Sequence, residues 1–367
     1  MQVLGFGTYE LAAHPRVGTI LDGLRALGDD VTEINESLGF TTAERVATLV
    51  APWFAYRFVL RLLARWAMLT QRALRARRGR QFDAIIVGYL GHFDVVLARV
   101  LFPRSRIVLD QLIFAGDTAR DRGVTGGMRL RLLDWLDRLA VRCADAVLLD
   151  TDENVELLAD SARDKAIVVP VGASASWFAA GESAVAGTPG KLRVAFFGLY
   201  TPLQGATIIG DALALLADRP EISATMIGTG QQYDDTRAAA AANDSITWLD
   251  WVDADDLPQI IAAHDVCLGI FGSTPKAMRV VPNKVFQGAA AGCVVVTSDT
   301  PPQRRMLDRG AVFVPPGDPG ALADALRSLA GDETGRLQLR ADARSIAVER
   351  FTAVSVVRPV RERLFGQ

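Results

Sequence analysis

Cysteine and histidine are scarce in this chain, with three of each among 367 residues. Cys143, Cys267 and Cys293 stand far apart in apolar surroundings. They read as reduced core residues, which excludes a disulfide framework and a thiolate metal site. No uncharged run reaches the roughly 18 residues that a membrane-crossing helix needs. Met1–Phe6 lacks a basic segment and runs straight into a strand pattern, so no signal peptide is expected and a cytoplasmic chain is. The net charge of −2 excludes a general attraction to nucleic acid. Tandem repeats and low-complexity tracts are missing, and no D-x-D triplet stands at a strand end. The dinucleotide fingerprint G-x-G-x-x-G is also lacking: after Gly5-Phe6-Gly7-Thr8, Tyr9 to Leu11 occupy the places that need glycine. A nicotinamide cofactor is therefore not expected.

What the chain does contain is a regular alternation of strands and helices. Half of its residues are apolar, and its length exceeds what one core commonly holds, so two domains are expected. Apolar runs at Val3–Phe6, Val31–Ile34, Phe82–Val87, Ile107–Leu109, Ala146–Leu149 and Ala166–Val169 predict strands. Helical spacing separates them, as in Pro15–Leu27 and Met128–Arg142, which implies a parallel sheet. Gly181–Lys191, rich in Gly, Ala, Ser and Pro, reads as a linker. Beyond it, Leu192–Phe197, Ser223–Ile227, Ile246–Leu249, Val266–Ile270, Val294–Val296 and Val312–Val314 predict a second set. The expected division is an N-terminal domain over 1–185, a C-terminal domain over 191–345, and a closing segment, 346–367, that crosses back to the first. That segment ends a single predicted helix near Ala341–Phe365.

The stretch Gly269–Asp299 organises the rest. A strand gives way to a loop with Lys276 and Arg279, then Pro282-Asn283 opens a helix that begins with Lys284. Helix N-termini at the carboxyl ends of parallel strands attract anions, so three cations here point to a diphosphate.

The run Phe271-Gly272, Lys276, Arg279, Pro282-Asn283-Lys284 and Gln287 resembles the donor-binding segment of family 4 glycosyltransferases of the GT-B fold. The branch in question reads G-F-G-x-x-x-K-x-x-R-x-x-P-N-K-x-x-E, and the likeness extends over about Val194–Asp324. The resemblance implies an α/β protein of GT-B type, two Rossmann-like domains facing across a cleft. It further implies a hexosyltransferase that uses a nucleotide-diphosphate sugar, retains the anomeric configuration and needs no metal or other cofactor. Where that family has two acids spaced E-x7-E, this chain has Arg279 and Gln287, and the second of these would grip the donor ribose. The family turn G-R…E-K-G has Leu199 and Gln204 in place of its two cations, which leaves Lys276, Arg279 and Lys284 to hold the diphosphate. Gly198, Thr201, Gly228, Gly230 and Asn283 are expected around the donor, with Trp251 and Val252 beside the base.

On the acceptor side, Gly7, Thr8 and Arg16 follow the first strand, and His92 follows the third in Gly88-Tyr89-Leu90-Gly91-His92. Asp110 and Asp117 follow the fourth and are expected to orient an acceptor hydroxyl. Arg16 reads either as a partner for an anionic acceptor or as a surface arginine, and His92 as a catalytic or a structural residue. Val50–Arg80 holds eight arginines and no acid, with Arg57, Arg61, Arg65 and Arg72 on one helical stripe beside Trp53, Phe58 and Trp66. Such a helix suits an anionic membrane at the inner face of the cell, with a lipid-linked or glycan acceptor. A solvated arginine face is the other reading. A nucleotide-sugar epimerase of the same fold, or a catalytically weak nucleotide-binding protein, stays open as a functional alternative.

Overall fold

The computed structural model describes residues 1–11, 14–39, 52–184 and 187–366, with side chains aside at 52–55 and 365. The first sheet contains β1 (Gln2–Gly7), β2 (Asp30–Asn35), β3 (Ala84–Val87), β4 (Arg106–Asp110), β5 (Ala146–Leu149) and β6 (Ala166–Val168) in the order β2-β1-β3-β4-β5-β6. The second contains β7 (Leu192–Phe197), β8 (Ile222–Ile227), β9 (Ile246–Leu249), β10 (Val266–Leu268), β11 (Val294–Ser298) and β12 (Ala311–Val314) in the order β12-β11-β10-β7-β8-β9. Every pairing is parallel. Parallel strands carry helices on both faces, which is why AIIV in β3 and AVLL in β5 are apolar and buried throughout. Alternate side chains feed two core layers: Leu4 and Phe6 enter one, Val3 the other.

Strand order reverses between β1 and β3 in the first sheet and between β7 and β10 in the second. Open α/β sheets place their ligands in the crevice beyond such points. Helices that bear on it are α1 (Arg16–Ala26), α2 (Pro52–Ala76), α3 (Asp94–Leu101), α4 (Ala115–Asp121), α5 (Met128–Cys143), α6 (Ala175–Glu182), α7 (Asn283–Ala290), α8 (Glu333–Arg350) and α9 (Ala353–Phe365).

Two sequence expectations change. The linker read from Gly181 is helical through Glu182, because α6 packs on the second sheet: Trp177 stacks on Phe197 at 5.6 Å. Gly181 serves close helix packing, since a Cβ there would lie 2.4 Å from the Ala290 carbonyl. The single terminal helix is two helices, divided at Phe351 and Thr352. Phe351 is held against Phe286 at 4.8 Å, and Thr352 caps α9 by accepting from the Ser355 N–H at 3.3 Å. The break lets α9 cross back to the first domain, where Val356, Val357 and Val360 join Val17, Ile20 and Leu24 of α1 in one core.

Candidate functional site

A cleft of about 780 Å³ lies between the carboxyl ends of the two sheets. His14, Tyr89 and Asp150 line it from the first domain, and Lys276, Asn283, Lys284 and Gln287 from the second. The start of α7 is preceded by an extended Pro282, and no side chain caps it. Its first N–H groups therefore remain for water or a ligand.

Lys284 is only 4% exposed. Its ammonium donates to Gln204 Oε1 at 2.5 Å and stands 3.8 Å from the Phe196 ring centroid. Burial lowers its pKa to about 7, because a charged ammonium loses its hydration among these groups. Gln204, where the related family has a cation, thus orients the lysine at the start of α7. Gln287 is 9% exposed, lies one helical turn along and lines the same cleft with Asn283.

Lys276 lines the cleft but donates across the domain boundary to Thr118 Oγ1 at 2.8 Å. Burial lowers its pKa, and Asp117, Asp121 and Asp150 oppose that shift. Arg279, expected at the donor, is instead paired with Asp117 at 2.5 Å, while its carbonyl accepts from Thr151 Oγ1 at 2.7 Å. Thr274 donates to Asp121 at 2.6 Å. The loop after β10 therefore clamps α4, with Asp117 and Arg279 paired to each other across the domain boundary.

The loops after β7 and β8 pack backbone against backbone. A Cβ on Gly228 would meet the Gly198 carbonyl at 2.2 Å, and one on Gly230 the Tyr200 nitrogen at 2.6 Å. These glycines thus have a packing reason of their own, and Gly198 also borders the cleft beside Lys284. Thr201 precedes the short 3-10 turn Pro202–Gln204. Trp251 is 79% exposed, with Nε1 3.4 Å from Asp253, and Val252 packs on the core beneath the second sheet. Neither borders the cleft as expected of residues beside a base; Ala254, Asp255 and Leu257 do.

The acceptor-side expectations need the largest corrections. Arg16 is 1% exposed and sits 3.0 Å from Asp110, itself 2% exposed. It is neither a surface arginine nor available to an anionic acceptor, and Asp110 is its buried counter-ion. His92 is buried away from the cleft; its Nε2 lies 2.8 Å from Asp137 Oδ1 and 3.0 Å from Gln111 Nε2. Asp137 in turn accepts the N–H groups of Ala115 and Gly116, so His92 helps to fix the start of α4. At Gly7-Thr8, the Thr8 N–H and Oγ1 both donate to Asp94, at 2.7 and 2.8 Å. Asp150, not singled out in the sequence, is a buried carboxylate that lines the cleft, as Asp22 and Asp255 also do. It is 3% exposed, follows β5 directly, and accepts from Asn154 Nδ2 at 2.7 Å. Burial raises its pKa, and Arg16, Asn154 and Lys276 counter the rise. The sequence signal was an acid directly after an apolar strand.

Residues 191–332 match the family model described as Glycosyl transferases group 1. No curated protein matches the chain. Among solved structures, HepE of Anabaena in complex with UDP-glucose is similar, with a TM-score of 0.67 and 16% identity, covering 100% of this chain and 99% of that one. Sucrose-phosphate synthase from Thermosynechococcus elongatus gives a TM-score of 0.72 at 14% identity over 100% of both chains. The alpha,alpha-trehalose-phosphate synthase (UDP-forming) from Burkholderia vietnamiensis gives 0.70 at 15% identity, covering 99% of this chain and 97% of that one. The chain therefore has the GT-B fold, and its residues 191–332 match a glycosyl transferases group 1 domain.

Proposed function

We propose that the protein transfers a hexosyl unit, with retention at the anomeric carbon and without a metal, from a nucleotide-diphosphate sugar in the C-terminal domain to an acceptor on the N-terminal one. The observation that carries this is Lys284. Its ammonium is buried at a helix start beyond the strand-order reversal, facing an amide oxygen and an aromatic ring instead of a carboxylate. Such a cation, beside uncapped N–H groups, suits a diphosphate. The UDP-glucose in HepE supports a nucleotide sugar as donor. Gln287 would bond the ribose.

In the transfer, the bond between the anomeric carbon and the diphosphate oxygen breaks while the acceptor oxygen bonds to the same face. The proton leaves the acceptor hydroxyl for the departing phosphate. Lys284 and Lys276 stabilise the charge that develops there. Asp150, on the opposite wall, orients the acceptor hydroxyl.

We further infer docking on an anionic membrane through α2. The exposed residues Tyr56, Leu60, Leu63 and Leu74 recur on one outward face, while Leu62, Leu69 and Ala73 face the core. Exposed Arg57 lies between those faces. The aromatic residues expected to enter lipid face inward instead: Trp66 donates to Asp94 at 2.8 Å and Phe58 meets Phe93 at 5.9 Å. The side chain of Trp53 lies outside the described residues. No helix among the described residues is long and apolar enough to cross a membrane.

The function is tested by incubating the protein and a panel of nucleotide sugars with a polar-lipid extract, EDTA being present in a parallel set. Released nucleoside diphosphate, sugar attached to lipid with the donor's anomeric configuration, and indifference to EDTA are expected. A sugar epimerised without acceptor, or an inverted linkage, contradicts the reading.

A further inference from the structure

A second cavity, about 310 Å³, lies within the first domain. Its walls include Phe58 and Leu62 of α2, Phe93 and Ile113, and Leu133 and Leu136 of α5. The loops after β1 and β3 also border it, so it occupies the strand-order reversal of the first sheet, the crevice where α/β sheets place ligands. His14, Tyr89 and Ile113 line both this cavity and the donor cleft, and the His14 ring stacks on Tyr89 at 3.7 Å. The two spaces are neighbours across one shared wall.

Apart from Arg122, the polar side chains around the cavity have partners, Glu10 among them, which accepts from Ser37 Oγ at 3.2 Å. Asp94 accepts from Thr8 and from Trp66, and His92 is joined to Asp137. An apolar guest leaves those bonds intact, whereas a sugar would have to compete with them. Arg122 is exposed and lines the same cavity, and its charge is close enough to oppose protonation of Lys276. A cation thus borders the apolar space within electrostatic reach of Lys276. Outside, the two helices that wall the cavity also carry exposed apolar residues: Leu60 and Leu63 on α2, Met128, Leu132 and Trp135 on α5.

We propose that this cavity binds the hydrocarbon chain of a lipid-borne acceptor with an anionic head, the chain between α2 and α5 and the head at Arg122. The word acceptor rests on the proposed transferase function; binding of the chain does not. Apolar lining, an adjoining cation and a neighbouring donor cleft together select an amphiphile over a free sugar.

The probe is decyl phosphate below its micellar concentration, with inorganic phosphate as polar control and UDP titrated separately. Calorimetry on the native chain should show decyl phosphate binding and no inorganic phosphate binding at the same concentration. Leu133→Trp and Leu136→Trp fill the space from half-buried positions and should each weaken decyl phosphate at least tenfold, with UDP affinity unchanged. Arg122→Ala should weaken decyl phosphate as well. No decyl phosphate binding to the native chain, or equal binding in tryptophan variants that melt like it, overturns the proposal. Should both variants melt early, methyl NOEs between the decyl chain and Ile113 or Leu133 in the native chain decide, and their absence overturns it. Failure of UDP alone to bind removes a UDP-sugar as donor and leaves the cavity assignment standing.

Discussion

The ammonium of Lys284 and the side-chain oxygen of Gln204 meet at 2.5 Å on the floor of the interdomain cleft. Gln204 stands at the end of the β7 loop and Lys284 opens α7, so this bond joins the two loops that flank the strand-order reversal. It leaves the lysine without a compensating negative charge, which a diphosphate would supply.

The first prediction is a proton count. Lys284 titrates at about 7 when folded and unliganded, below its ordinary value of 10.5, so at pH 8 it is mostly neutral. A bound diphosphate favours the charged form and raises that pKa. Binding of UDP at pH 8 should therefore take up protons, and affinity should fall as pH rises above 7. Calorimetry in buffers of different ionisation enthalpy checks this, and Lys284→Met should abolish the uptake. The same lowered pKa means that the folded chain binds fewer protons than the unfolded one between about pH 7 and 10.5, so this group's contribution to stability rises across that window.

Turnover should respond to the same residue. Lys284→Ala should retain the native far-ultraviolet circular dichroism and lose about a hundredfold or more in kcat, the scale of removing one preorganised donor. A rate within threefold of native would remove Lys284 from the leaving-group site.

Gln287 makes a milder claim. Gln287→Ala should weaken UDP by about 0.5–1.5 kcal/mol, the worth of one hydrogen bond, while Gln287→Glu keeps the native affinity or improves it. Three identical calorimetric titrations would discard the ribose contact.

The domain clamp is predicted to matter through charge. Asp117→Arg and Arg279→Asp should each lower kcat/KM and raise the unliganded radius of gyration in X-ray scattering, and the double swap should recover part of both. Singles that scatter and turn over like the native chain would show that the pair is incidental.

For α2, co-sedimentation with phosphatidylglycerol-containing liposomes should occur at low salt and fade at 1 M, where the Debye length is about 3 Å. Leu60→Gln with Leu63→Gln should reduce it further. A native chain that stays in the supernatant at low salt leaves α2 as a solvated wall.

Much of the fold was legible because parallel strands are buried on both faces. Runs such as Ala146–Leu149 and Leu192–Phe197 announce themselves as apolar stretches with the bounds the structure gives. Pro282-Asn283 marked the start of α7 for the same local reason. What sequence did not reveal depends on distant partners. Arg16 finds Asp110 across 94 positions, and Arg279 finds Asp117 across 162. Charged residues at strand ends look alike in sequence whether they face the cleft, as Asp150 does, or a buried counter-ion, as Asp110 does. Gly181 resembled linker because close helix packing and chain flexibility both select glycine.

Nucleotide-sugar binding at the Lys284 cleft is the central claim, and a thermal-shift panel tests it most directly. Native chain and Lys284→Ala are melted with nucleoside diphosphates and nucleotide sugars. A ligand at a hundred times its Kd stabilises by about 2.7 kcal/mol. The account predicts that at least one nucleotide diphosphate and its sugar raise the native Tm by several degrees, with most of that shift lost in Lys284→Ala. No shift with any nucleotide, or equal shifts in both chains, would contradict it.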